Sequence, residues 1–117
     1  MLDEGDKIGE GRSATLQEGA KQTLVAALNA KSDPPLTPHE IANAAFILLQ
    51  ADENVGHSNG SLTLLENKSQ VHRLISVNPP VTISLRQLVT WIMACPDYEV
   101  IEKYSTSHER SCYIRMR

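Results

Sequence analysis

Between Thr37 and Gln50 the apolar residues Ile41, Ala44, Ala45, Leu48 and Leu49 recur at helical spacing, with Ala42 and Phe46 widening the stripe. A stripe this wide predicts a helix at the centre of the core. Its start is marked by Thr37 as a capping residue, Pro38 at the first helical position and Glu40 closing a capping box. Upstream, Leu16, Ala20, Leu24, Ala27 and Leu28 repeat the same spacing behind a Thr15-x-x-Glu18 box, and Asp33-Pro34-Pro35 stops that helix. A third helix runs from Ser84 to Cys95, capped by Ser84 with Gln87 at the box position and closed by Pro96; Leu85, Leu88, Val89 and Ile92 form its buried face.

The period changes from 3.6 to 2 after Pro96. Tyr98, Val100, Glu102 and Tyr104 share one strand face, and Cys112, Ile114 and Met116 share one face of a partner strand over 110–117. The polar run Ser105-Thr106-Ser107-His108-Glu109 reads as the hairpin tip between them. Residues 56–60 read as a loop by composition. Residues 61–77 start with an alternation around Leu62 and Leu64 that suits a short strand. From Glu66 onward they read best as a helix with Val71, Leu74 and Ile75 inward. Val81-Thr82-Ile83, behind Asn78-Pro79-Pro80, is extended. Residues 1–12, rich in glycine and charge and poor in apolar residues, read as a flexible arm ahead of one domain over 13–117.

The expected class is therefore α+β and mostly helical, with three to four helices and a C-terminal β-hairpin. In this order of elements, residues 37–117 resemble the winged helix-turn-helix family, at the level of pattern and without a specific sequence motif. The resemblance implies DNA binding with a regulatory or accessory role. The helix before the hairpin would enter the major groove and the hairpin tip would touch the backbone. Mapped onto this chain, Arg86, Gln87 and Thr90 are the groove-facing candidates, since Arg suits guanine and Gln suits adenine. Ser107, His108, Arg110 and Arg115 are the candidates on the ribbon, as side chains that contact phosphate readily. The alternative is a protein-interaction module, an adaptor or a homodimer, that uses the same fold without nucleic acid. Trp91 and Met93 on the last helix are its anchor residues, because Trp is enriched at interface hot spots.

Charge shifts the balance between these readings. The chain carries a formal net charge of −3 and has a pI of about 5.7, which counts against an indiscriminate nucleic-acid binder. The charge is unevenly spread: residues 1–20 hold five acidic side chains against two basic ones, and residues 105–117 hold three arginines against one glutamate. No apolar run approaches the roughly 20 residues that span a bilayer, and the acidic N-terminus lacks the apolar segment of a secretory signal. With two cysteines, expected as free thiols, this places the chain in the cytoplasm and away from membranes.

Other chemistries have weaker signals. His39-Glu40-Ile41-Ala42-Asn43 begins like the His-Glu-x-x-His helix of zinc proteases, but Asn43 stands where the second histidine is needed. His108 and Cys112 lie four residues apart, with Cys95, His57 and His72 elsewhere, and no Cys-x-x-Cys pair accompanies them. Cys95 beside Pro96 ends a helix, where the dipole disfavours a thiolate. No nucleophile elbow or phosphate loop is present, so neither an enzyme nor a cofactor or metal is expected.

Overall fold

Helices begin where the Thr37 and Ser84 capping signals place them. The computed structural model describes residues 2–29, 34–77, 80–104 and 109–117, without the side chains of 2–14, 76, 77 and 104. Helix α1 spans Leu2–Asn29 and α2 spans Pro38–Gln50. Ahead of α2, the Thr37 hydroxyl accepts the Glu40 N–H at 3.1 Å, and the Glu40 carboxylate accepts the Thr37 N–H at 3.2 Å. This reciprocal box satisfies two backbone donors at the helix start. Ala42, Ala44, Ala45 and Leu49 are buried, and α2 packs against α1 on one side and the third helix on the other. Small alanine side chains let both neighbours approach closely.

Helix α1 differs from its prediction at its start. It does not start at Thr15 but continues back to Leu2, through the residues read as an arm. Of the predicted apolar face, Ala20 and Leu24 are buried, whereas Leu16 and Leu28 are exposed.

After α2 the chain turns through Asp52, whose carboxylate accepts the Asn54 N–H at 2.8 Å. Strands β1 (Val55–Ser58) and β2 (Ser61–Leu65) form a hairpin around Asn59 and Gly60, both with positive φ (49° and 79°). That is the backbone of a two-residue type I′ turn, which Asn-Gly favours. The predicted loop over 56–60 is thus largely strand and turn. The predicted helix from Glu66 is also absent: a single 3-10 turn, Glu66–Lys68, leads into β3 (His72–Val77), which pairs with β4 (Pro80–Ser84). Along β3 Ile75 is buried and Leu74 is exposed, as strand alternation requires.

Helix α3 spans Leu85–Met93, with Ser84 Oγ accepting the Gln87 N–H at 3.1 Å. Its buried face is Leu85, Leu88, Val89 and Ile92 as predicted. The carbonyls of Val71 and Ser69 accept the N–H groups of Leu85 and Arg86 at 3.0 and 2.8 Å, which seats the helix start on the segment before β3. Strands β5 (Tyr98–Tyr104) and β6 (Arg110–Met116) then pair antiparallel, with Val100 opposite Ile114.

The expectation of a mostly helical, winged-helix-like domain with only a C-terminal hairpin is overturned. Three α-helices and six strands are present among the described residues, and β5–β6 is not a separate ribbon. β6 pairs with β2, giving a four-stranded antiparallel sheet in the order β1-β2-β6-β5, with β3–β4 as a second, two-stranded sheet. The physical reason is burial. A hairpin alone is marginal in water, and pairing Leu62 with Ile114 and Leu64 with Cys112 merges two half-buried hairpins into one continuous apolar face.

Candidate functional site

Alternation along β6 divides the arginines expected to act together. Cys112 and Ile114 point to the helices and are buried, while Tyr113 and Arg115 point to the opposite side of the sheet. Arg86, at the start of α3, lies on the helix side: its Nη1 is 3.2 Å from Glu102 Oε1 and 3.7 Å from Cys112 Sγ. Arg110 lines the same open cleft as Arg86, a space of about 170 Å³ that also meets Glu66, Ser69 and Gln70. Arg115 sits across the sheet with Nε 2.7 Å from Glu99 Oε2. The hydrogen bond from Arg86 holds the Glu102 carboxyl below its ordinary pKa, and that from Arg115 does the same for Glu99. In the cleft, burial and the nearby Glu102 push the Cys112 thiol up. Gln87 and Thr90 lie on α3, where the Thr90 hydroxyl donates to the Arg86 carbonyl at 3.0 Å. Ser107 and His108 lie outside the described residues.

The two residues expected at a protein interface also part company. Trp91 packs against the core and is only partly accessible, whereas Met93 is 52% exposed. A second apolar surface was not anticipated. The helices contact the four-stranded sheet through Tyr98, Val100, Leu62, Leu64, Cys112 and Ile114, so residues of the other parity face outward. A row across that outward face runs Gly56, Thr63, Tyr113, Ile101. Leu65 and Lys103 flank it, and Lys103 Nζ lies 5.1 Å from the centre of the Tyr113 ring, within cation–π range.

A third feature joins residues far apart in sequence. His39, in the first turn of α2, meets Cys95 and Asp97 in the turn between α3 and β5. Its Nδ1 is 2.8 Å from Asp97 Oδ2 and 4.0 Å from Cys95 Sγ, and the sulfur is 3.7 Å from the same carboxylate oxygen. The Cys95 thiol is buried and free, while His39 and Asp97 reach solvent. Backbone bonds fix the turn: the Tyr98 N–H donates to the Cys95 carbonyl at 3.3 Å and the Arg117 N–H to the Asp97 carbonyl at 2.9 Å. Behind it, Tyr98 stacks at 5.3 Å on Phe46 and its hydroxyl donates to Asn43 Oδ1 at 3.4 Å. Burial, then the neighbouring Cys95 and Asp97, push the Tyr98 phenol above its ordinary pKa, which keeps it a donor.

Among the described residues this is the one group of three potential metal-ligating side chains that converges. In sequence, His39 stands in an incomplete His-Glu-x-x-His pattern, and Cys95 offers itself only beside His57, His72, His108 and Cys112. The signal that could have found the site is the Cys-x-Asp spacing after α3, and no local rule links it to a histidine 56 residues earlier. Comparison with protein-family models, with curated proteins and with solved structures found no match. Among the described residues no helix is long and apolar enough to cross a membrane.

Proposed function

We propose that this chain is a protein-interaction module that associates with a second copy of itself through the outward face of the four-stranded sheet. The observation that carries the reading is the one-sided covering of that sheet: helices pack on one face, and the other carries Leu65 and Tyr113 exposed and Ile101 half-buried beside Tyr113. Tyr113, 37% exposed at the centre of the row, has the amphipathic character of an interface anchor. Lys103, Arg115 and Glu99 surround the apolar row with charge of both signs, the arrangement of a polar rim.

DNA binding draws less support. It calls for a continuous basic strip through Arg86, Arg110 and Arg115, and the sheet separates Arg115 from the other two. Arg86 and Arg115 are each engaged by a glutamate, and the net charge is negative.

Light scattering across a concentration series tests the proposal. Wild type is expected to pass from monomer to dimer, and Tyr113→Glu to remain monomeric with an unchanged far-UV spectrum. A wild-type chain that stays monomeric at its solubility limit sinks this reading. Retention on DNA at low salt, with the steep salt dependence of phosphate contacts and its loss in Arg86→Ala, would favour the nucleic-acid reading instead.

A further inference from the structure

We propose that His39, Cys95 and Asp97 bind a borderline-soft divalent cation of the Zn2+ class. The three ligand atoms form a small triangle with sides of 2.8, 3.7 and 4.0 Å. In a tetrahedral zinc site, with bonds of about 2.3 Å to sulfur and about 2.0–2.2 Å to nitrogen and oxygen, such atoms stand roughly 3.4–3.6 Å apart. Each observed side therefore lies within about 0.6 Å of that value. The short side is a hydrogen bond, and a cation that replaces its proton widens it toward the required distance. Side-chain rotations close the two longer sides, because His39 and Asp97 are more than half exposed and free to adjust.

The geometry separates this site from a nucleophilic one. A nucleophile–histidine–carboxylate chain uses the two ring nitrogens separately, one for the nucleophile and one for the carboxylate. Here both the sulfur and the carboxylate approach Nδ1. Two groups on one nitrogen do not relay a proton, but they do converge on one point in space. The donor set selects the ion: a thiolate, an imidazole and a carboxylate suit Zn2+, whereas Mg2+ and Ca2+ prefer oxygen alone. Three protein ligands leave a fourth position, and the exposed side of His39 and Asp97 opens it to water.

Both backbone segments that carry the ligands are already held. The Thr37–Glu40 box fixes the start of α2, and two backbone hydrogen bonds fix the turn that carries Cys95 and Asp97. Binding releases the thiol proton to solvent, and a histidine ligand binds through an unprotonated Nδ1 with its remaining proton on Nε2, so affinity rises with pH. The bound ion would tie the α2 start to the α3–β5 turn and raise the unfolding temperature by mass action. The site shares no residue with the sheet face proposed for self-association, so either inference can fail alone.

The test is a titration of the metal-free full chain with Co2+, followed by competition with Zn2+. A thiolate-to-cobalt charge-transfer band and the visible absorption of a four-coordinate centre are expected, both displaced by Zn2+. Cys95→Ser should lose the charge-transfer band. His39→Ala and Asp97→Asn, at exposed positions that leave the fold intact, should each weaken binding at least about tenfold. Cys112→Ser should bind as wild type. The proposal is overturned if no thiolate band forms up to millimolar Co2+. It is equally overturned if the band persists at unchanged affinity in both His39→Ala and Asp97→Asn, or moves with Cys112.

Discussion

Asp52 carries a close ion pair, with Arg73 Nε at 2.6 Å and Arg73 Nη2 at 3.2 Å on the two carboxylate oxygens. Burial alone would raise its pKa. The hydrogen bonds from Arg73 and the Asn54 N–H outweigh that and hold it below its ordinary value of 3.8. A carboxyl with a lowered folded pKa stabilises the fold above its unfolded pKa, and that contribution is lost as pH falls through the folded value. Wild-type stability should therefore decline as pH drops below about 4. Asp52→Asn should flatten this acid limb in urea denaturation, and an unchanged limb would remove Asp52 as its source. Arg73→Ala, which leaves a buried carboxylate with only the Asn54 N–H, should cost about 1–3 kcal/mol at neutral pH. None of this was legible beforehand, because Asp52 and Arg73 are 21 residues apart and no local pattern pairs them.

Caps and turns show how far local chemistry reaches among the elements. The Thr37 and Ser84 caps, and the buried faces of α2 and α3, were readable because a cap acts within three residues and a helix face repeats every turn. The β1–β2 hairpin is equally local: composition marks 56–60 as a loop, while Asn59-Gly60 is the two-residue signal of a type I′ turn. A cost follows at Gly60. A Cβ there would meet no atom within 4 Å, yet φ is 79°. Gly60→Ala should therefore destabilise through backbone conformation alone, by about 1–2 kcal/mol in thermal or urea unfolding. A neutral substitution would mean that the turn is not of this type. The segment from Glu66 was misread for a different reason. Its apolar positions fit either period, and pairing with β4 decided for strand.

At the scale of the molecule, one core draws on all three helices and both sheets. Leu24 of α1, Leu49 of α2, Ile75, Ile83, Leu88 and Ile114 belong to the same buried cluster, and Trp91 packs against it. A single core predicts a single transition. Trp91 fluorescence and far-UV circular dichroism should report the same urea midpoint, and separated midpoints would show that α1 or a hairpin unfolds independently. Truncating Ile114, fully buried at the junction of β2 and β5, to alanine should cost about 2–5 kcal/mol and move both signals together. The expectation of a mostly helical domain with a C-terminal hairpin alone failed at this scale. The order of the last helix and hairpin was right, but what pairs with β6 on its far side is a strand from 46 or more residues earlier.

The sequence by itself determined the starts of α2 and α3, their apolar faces, and β5 and β6 almost to the residue. Capping, helical periodicity and strand alternation all act between near neighbours. The tertiary structure alone decided the sheet order, the side of the sheet to which each arginine belongs, and the meeting of His39 with Cys95 and Asp97. These depend on burying apolar surface that separate hairpins and helices cannot bury alone, and that gain is realised only between segments distant in the chain.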